Sequence, residues 1–311
     1  MVRKKRNCVV NNGKMCVGDA TLYLGDCLDV LKEIPDMSIE LAVTDAPYFI
    51  DGMGTNWNHD KLKGRQHNKS SQTSSVGGLP SSMPFDREQA KGFHDIIHKV
   101  SCEVMRILKP GGFFVFFSSP RLSYAGSWAA DEAGFEIRDM AIWEHEGGQG
   151  KSCSHRHWVE KSKELNLEQK NKIIGEMKGL GTPQLRPNQE PFTIAQKPCE
   201  SIMWKNFRKY KTGYIQTHFD GKQQTNIFRF NKPRARKEFD HMTLKPVPLM
   251  ERIIEVFSMR GQTVLDMFMG SGTTGEAAIN KGRKFIGVEI DNHSFEVAKN
   301  RLDGVLSCGD H

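Results

Sequence analysis

Chemistry in this sequence concentrates at two places far apart along the chain. In Thr44-Asp45-Ala46-Pro47-Tyr48-Phe49, directly after the apolar run 39–43, a carboxylate, a backbone carbonyl and an aromatic ring come together. Asp45 and the carbonyl of Ala46 are adjacent acceptors, two in number, as the two hydrogens of an amine require. Tyr48 offers a ring face on which a planar group can lie. The second place is residues 263–291, TVLDMFMGSGTTGEAAINKGRKFIGVEID, where Gly270, Gly272 and Gly275 separate an apolar run ending at Asp266 from another ending at Glu289. Glycines let the backbone turn sharply and bring bare N–H groups beside a ligand. An acidic residue at the tip of the next strand is placed to grip ribose hydroxyls. This unit is built to hold an adenosine.

The glycines also satisfy G-x-G-x-x-G, so the pattern alone fits a nicotinamide or flavin enzyme. Position argues against a dinucleotide. Such folds open on this unit, whereas here only about twenty residues follow Glu289, so the remaining strands of the sheet must come from earlier in the chain.

The elements that would position the two places alternate in type. A strand over 21–24 leads through Gly25-Asp26-Cys27 into a helix with Leu28, Leu31 and Ile34 on one side. A buried strand over 39–43 delivers Asp45 to its carboxyl edge, where open α/β sheets bind ligands. Residues 51–82, rich in Gly, Ser, Asn, Gln and Lys, read as a moving active-site loop. A helix over 86–108 ends at Lys109-Pro-Gly-Gly112, followed by a strand over 113–117, a helix over 121–134 and a strand over 137–143. A helix over 247–257 leads into the glycine unit. The expected fold is α/β, a doubly wound and mostly parallel Rossmann-like sheet with an inserted basic region.

That region, 147–240, mixes basic, polar and aromatic residues with little period, and reads as a small separate subdomain or a set of insertions. Within it, 186–198 looks like a turn feeding one strand back into the main sheet. The segment holds 19 Lys and Arg against 9 Asp and Glu, a net +10 in a chain whose total is +7, so positive charge is concentrated where a polyphosphate partner would favour it. The domain division is 1–146, 147–240 and 241–311.

With 311 residues, 38% apolar, the chain can bury one large core. Its longest aromatic run, Phe113-Phe-Val-Phe-Phe117, falls far short of the roughly 20 apolar residues of a membrane helix, and no apolar stretch follows the basic residues 3–6 as in a signal peptide. A soluble, cytoplasmic protein is expected. Seven cysteines without a C-x-x-C pair point to reduced thiols. Cys153, His155 and His157, with His145, match no closed zinc site, and no metal is expected.

Asp45-Ala-Pro-Tyr48 beside the glycine unit resembles the amino-methyltransferases of nucleic acids, whose motif is Asp-Pro-Pro-Tyr or a near variant. Leu24-Gly-Asp-Cys27, Leu108-Lys-Pro-Gly-Gly112, Asn188-Gln-Glu-Pro191, His241-Met-Thr-Leu-Lys-Pro246 and Asp266-Met-Phe-Met-Gly-Ser-Gly-Thr-Thr-Gly275 all look like signature segments of that family. Their order, catalytic motif first and cofactor glycines last, is that of the permuted β group of DNA methyltransferases. The resemblance leaves out 51–82 and most of 147–240. It implies S-adenosyl-L-methionine as cofactor and double-stranded DNA as partner; it is compatible with a homodimer, and a cognate restriction endonuclease is not deducible from it. It places Asp45, Ala46, Pro47 and Tyr48 at the reacting base, with 147–240 as the target-recognition region. Phe268, Gly270 and Gly272 then lie against the methionine portion, Glu289 on the ribose and Asp26 at the adenine edge. Thr243 and Lys245 meet the amino-acid carboxylate, and Asp266 and Thr273 complete the cofactor set.

The chemistry agrees with these residues. An exocyclic amine on adenine or cytosine is a poor nucleophile because its lone pair is delocalised into the ring. Acceptors on both hydrogens favour a more tetrahedral nitrogen whose lone pair faces a sulfonium methyl, an effect of positioning and electrostatics. Ala46 stands where the family usually has proline. A role through the backbone carbonyl survives that change, and Pro47 restrains Ala46 toward the extended region. Asp at position 45 inclines the reading to adenine N6 over cytosine N4, since relatives with Ser there tend to modify cytosine. The rivals are a nicotinamide oxidoreductase, which leaves Asp45–Tyr48 unexplained, a nucleic-acid-binding relative without catalysis, and an RNA methyltransferase.

Overall fold

The computed structural model describes residues 8–10, 13–47, 87–146, 154, 156–181, 185–232 and 244–308. The expected loop 51–82, Tyr48, Phe49, Thr243, Cys153, His155 and the basic residues Arg234, Arg236 and Lys237 lie outside the described residues.

Two short strands, β1 (Cys8–Val10) and β2 (Lys14–Val17), precede β3 (Ala20–Leu24) and helix α1 (Cys27–Glu33). Then come β4 (Ile39–Asp45), α2 (Arg87–Ile107), β5 (Leu108–Phe117), α3 (Ser123–Glu132) and β6 (Glu136–Glu144). The middle of the chain supplies α4 (Arg156–Lys161), α5 (Leu167–Glu176), β7 (Gln189–Gln196) and α6 (Met203–Tyr210). A two-residue hairpin, β8 (His218–Phe219) and β9 (Lys222–Gln223), leads to β10 (Ile227–Arg229). The last part gives α7 (Val247–Phe257), β11 (Thr263–Asp266), α8 (Thr273–Asn280), β12 (Lys284–Glu289) and α9 (Asn292–Cys308).

Among the described residues the strands form a ten-stranded sheet in the order β1-β2-β3-β12-β11-β4-β5-β7-β6-β10. From β3 through β5 every pair is parallel; β7 runs antiparallel between β5 and β6. Helices cover both faces, as expected for a doubly wound sheet. One face packs Leu41, Val43, Val115 and Phe117 under α7, α8 and α9. The other packs Ala42, Phe114 and Phe116 under α1, α2 and α3. In β4 only Asp45 escapes full burial, as a central parallel strand demands.

Two expectations need correction. The strand expected at 113–117 begins at Leu108, because the Pro110–Gly112 stretch stays in the sheet through a register shift against β4 between Ile39 and Leu41. The region 147–240 is less separate than expected and feeds two strands into the sheet. β7 was anticipated; β10, which pairs parallel with β6 and buries Phe228, was not.

Sheet polarity sorts that region. β6 ends and β7 begins at the carboxyl edge, the edge of Asp45, so α4 and α5 belong to an excursion that leaves and returns there. Helix α6 is anchored at the opposite edge: Asn206 Nδ2 and Thr212 Oγ1 donate to the carbonyl of Pro110 at 2.9 and 2.5 Å. Among the described residues no helix is long and apolar enough to cross a membrane.

Candidate active site

Adjacent parallel strands bring the two chemical places of the sequence together. β4 ends on Asp45, and its neighbour β11 ends on Asp266 at the mouth of the glycine turn. Thr44 Oγ1 donates to Asp266 Oδ1 at 2.7 Å, Phe268 N donates to the same oxygen at 3.1 Å, and Thr274 Oγ1 donates to Oδ2 at 2.5 Å. Asp266 is only 2% exposed. Burial pushes its carboxyl up to about 6 against the opposing pull of these donors. Expected among the cofactor contacts, Asp266 commits both oxygens to protein donors and holds the turn from beneath.

The turn itself needs its glycines. Gly272 caps α8 at φ +81°, and a Cβ there would approach Ala298 Cβ to 2.9 Å. Gly270 has φ +50°, and a Cβ on it would meet nothing within 4 Å, so this side of the turn faces open space. Glu289 reaches over from the tip of β12: Oε2 accepts from Gly270 N at 2.9 Å and Oε1 from Asp291 N at 2.8 Å. Burial raises its carboxyl above the usual range. Gly25 N donates to the Glu289 carbonyl at 2.9 Å, and the next residue, Asp26, caps α1 by accepting from Leu28 N at 2.8 Å. Asp26, Gly270, Gly272 and Glu289 therefore share one edge around an open flank, next to β4. Such a set fits an adenosyl group: backbone donors, a carboxylate for hydroxyls, and room. Phe268 is partly buried beside it, whereas Thr273, buried in the first turn of α8, accepts from Arg301 Nη1 at 3.0 Å.

Lys245, which the resemblance places at the amino-acid carboxylate, stands beside Asp45 in the structure. It lies just before α7, and its Nζ is 2.6 Å from Asp45 Oδ2 and 3.1 Å from Glu190 Oε2. Its side chain is 4% exposed, against 27% for Asp45, so the lysine lies deeper than the aspartate. The ammonium also stands 4.9 Å from the Phe117 ring centre and 6.0 Å from that of Trp143. Beyond Glu190 comes His145, buried, with Nε2 3.9 Å from Glu190 Oε1 and its ring edge on Trp143. Burial, then Lys232, lowers the His145 imidazole below its ordinary value, so it is neutral.

Ala46 is 1% exposed, and Pro47 follows it at the strand tip. Tyr48 and Thr243 lie outside the described residues. Sequence reasoning missed the parts played by Thr44, Thr274, Glu190 and His145. Glu190 and His145 had been noticed only within a turn and a possible metal cluster. The available signal was a charged residue two positions before the apolar Phe192 of an incoming strand.

The family of N6 and N4 DNA methylases matches residues 39–300. The chain belongs to that family, and is a DNA methyltransferase whose methyl donor is S-adenosylmethionine. It is 28% identical over 302 residues to the type II methyltransferase M.HindIII of Haemophilus influenzae, covering 90% of this chain and 94% of that one. It is 27% identical over 293 residues to the DNA adenine methyltransferase YhdJ of Escherichia coli, covering 91% and 82%. Among solved structures, the M1.HpyAVI complex with SAM aligns at TM-score 0.55 and 19% identity over 91% of this chain and 99% of that one. The cytosine-N4-specific PvuII DNA methyltransferase aligns at TM-score 0.56 and 17% identity over 93% and 90%. At those identities the two structures speak to the fold.

Proposed function

We propose that this enzyme methylates the N6 amine of adenine in double-stranded DNA, in the cytoplasm, with the target base turned out of the stack. The observation that carries the reading is the placement of Asp45 on the strand next to the glycine turn, on the same edge as Glu289. Asp45 and the Ala46 carbonyl accept the amine hydrogens and leave the nitrogen lone pair free to attack. S-adenosylmethionine, held by the glycine turn and Glu289, would supply an electrophilic methyl on a sulfonium that leaves as a neutral thioether. As the new nitrogen–carbon bond forms, the nitrogen becomes cationic beside Asp45, which takes one of its protons and passes it to water. Tyr48 serves as the ring on which the turned-out base lies.

Supporting adenine are the aspartate at position 45 and the adenine specificity named for a relative of similar length. Supporting a recognition role for the middle region is its excursion at the Asp45 edge, where α4 presents exposed Arg156 and Trp158. Arg234, Arg236 and Lys237 are assigned to phosphates. Helix α6, on the far edge, falls outside this surface.

The test is tritiated methyl transfer to DNA followed by nucleoside chromatography. N6-methyladenine is expected, and Asp45→Ala should lose transfer while still retaining DNA. Label in N4-methylcytosine would overturn the adenine assignment; undiminished transfer by Asp45→Ala would overturn the site.

A further inference from the structure

Lys245, buried, and Glu190, half-buried, pair beside Asp45 on the face of the sheet covered by α7. Residues 41, 43 and 45 of β4 share this face with Phe117 of β5, Phe192 of β7 and Trp143 of β6, whose side chains pack in one core cluster. Glu190 precedes Phe192 by two positions on β7 and so points the same way. β7 is paired with β5 from Phe192 onward, and Glu190 itself lies opposite Trp143 of β6, so the ladder carries it.

We infer that Lys245, held by Glu190, is a positioning residue for Asp45, and that its work is to orient and keep ionised the carboxylate that accepts the amine hydrogen. This rests on the amine-methylation reading above. Lys245 Nζ donates to Asp45 Oδ2 at 2.6 Å and is ion-paired with Glu190 Oε2 at 3.1 Å. One oxygen of Asp45 and one of Glu190 lie near the same nitrogen, so the two carboxylates are within roughly 6 Å of each other, where like charges repel. The lysine makes their coexistence possible.

Among the described residues, the charged groups around Asp45 include Lys245 from the segment before α7, Glu190 from β7 and Asp266 from β11, with His145 beyond Glu190. Removing Lys245 should therefore move the acid limb of the kcat–pH profile to higher pH. Removing the charge of Glu190 should move it to lower pH.

The experiment compares the full-length enzyme with Lys245→Met, Lys245→Arg and Glu190→Gln, reading kcat at saturating substrates, the pH profile, and the Kd for S-adenosylmethionine by titration. Lys245→Met is expected to lower kcat by about 10²-fold, the cost of a displaced reacting group, with little change in cofactor Kd and an upward acid limb. Lys245→Arg should recover much of kcat, and Glu190→Gln should lower the acid limb. The inference is overturned if Lys245→Met instead weakens cofactor binding by roughly tenfold or more, one charge-assisted contact's worth, while kcat and the pH profile stay put. It is overturned equally if Glu190→Gln leaves the acid limb unmoved, a variant that still decides should Lys245→Met fail to fold. Failure of the wild-type enzyme to methylate any base amine would instead remove the underlying reading, and this inference with it.

Discussion

Thr44 Oγ1 and Asp266 Oδ1, 222 residues apart in the chain, are joined by a hydrogen bond of 2.7 Å. It fastens the strand that presents Asp45 to the strand that opens the glycine turn, and so sets the spacing between methyl acceptor and methyl donor. Thr44→Val keeps the side-chain shape and removes the donor. It should cost about 1–3 kcal/mol of stability and lower kcat, leaving the cofactor Kd little changed. Urea unfolding with single-turnover kinetics checks this; wild-type kcat in a destabilised variant would disprove the link to catalysis.

Asp266 makes folding pH-dependent in an uncommon direction. Burial lifts its carboxyl to about 6, above the ordinary 3.8, so the folded protein holds this proton more tightly than the unfolded chain. The group's contribution to stability is therefore full below about 3.8 and falls as pH rises toward 6, by on the order of 3 kcal/mol across the window. Asp266→Asn has no such titration. Relative to wild type it should gain stability between pH 4 and 7 in urea melts taken at both ends, and parallel curves would refute the assignment.

Gly272→Ala combines a left-handed backbone with a Cβ 2.9 Å from Ala298. The expected loss is about 1–3 kcal/mol, with weaker cofactor binding because the first turn of α8 must shift. Thermal melting and cofactor titration read the two effects. Gly221→Ala, on the β8–β9 hairpin with φ +73° and nothing within 4 Å, controls for backbone strain alone.

Glu289→Gln leaves one of two backbone donors, Gly270 N or Asp291 N, facing an amide hydrogen. The cofactor Kd should rise by roughly tenfold, a single lost hydrogen bond to charge. Because burial raises the Glu289 carboxyl, wild-type cofactor affinity should also fall as pH is lowered through its titration. The variant should lack that fall. Identical pH dependence in the two proteins would detach Glu289 from the cofactor.

The sheet was legible because its strands are short apolar runs closed by Gly, Pro or Asp, and because glycines 270 and 272 announce a tight turn. The helix over 247–257 was read to the residue, since Pro246 and Pro248 mark its start and its apolar face is regular. β10 escaped notice: at three residues, with one buried side chain, it owes its place to pairing with β6 and has no period of its own. The ion pairs of Lys245 were hidden for a similar reason. A lysine before a proline carries no trace in sequence of the carboxylates it will meet, because Asp45 and Glu190 arrive from strands 200 and 55 positions away.

The excursion between β6 and β7 leaves and re-enters through paired residues: Glu144 lies opposite Gln189, and His145 N donates to the Asn188 carbonyl at 2.9 Å. Its two ends are thus a strand's width apart, clamped by the ladder, whatever lies between them. Loop length adds little to closure entropy, so such a cassette can be lengthened, shortened or swapped while the reaction centre keeps its geometry. Under the recognition role proposed for this region, a change of target sequence then needs changes in one removable piece of chain.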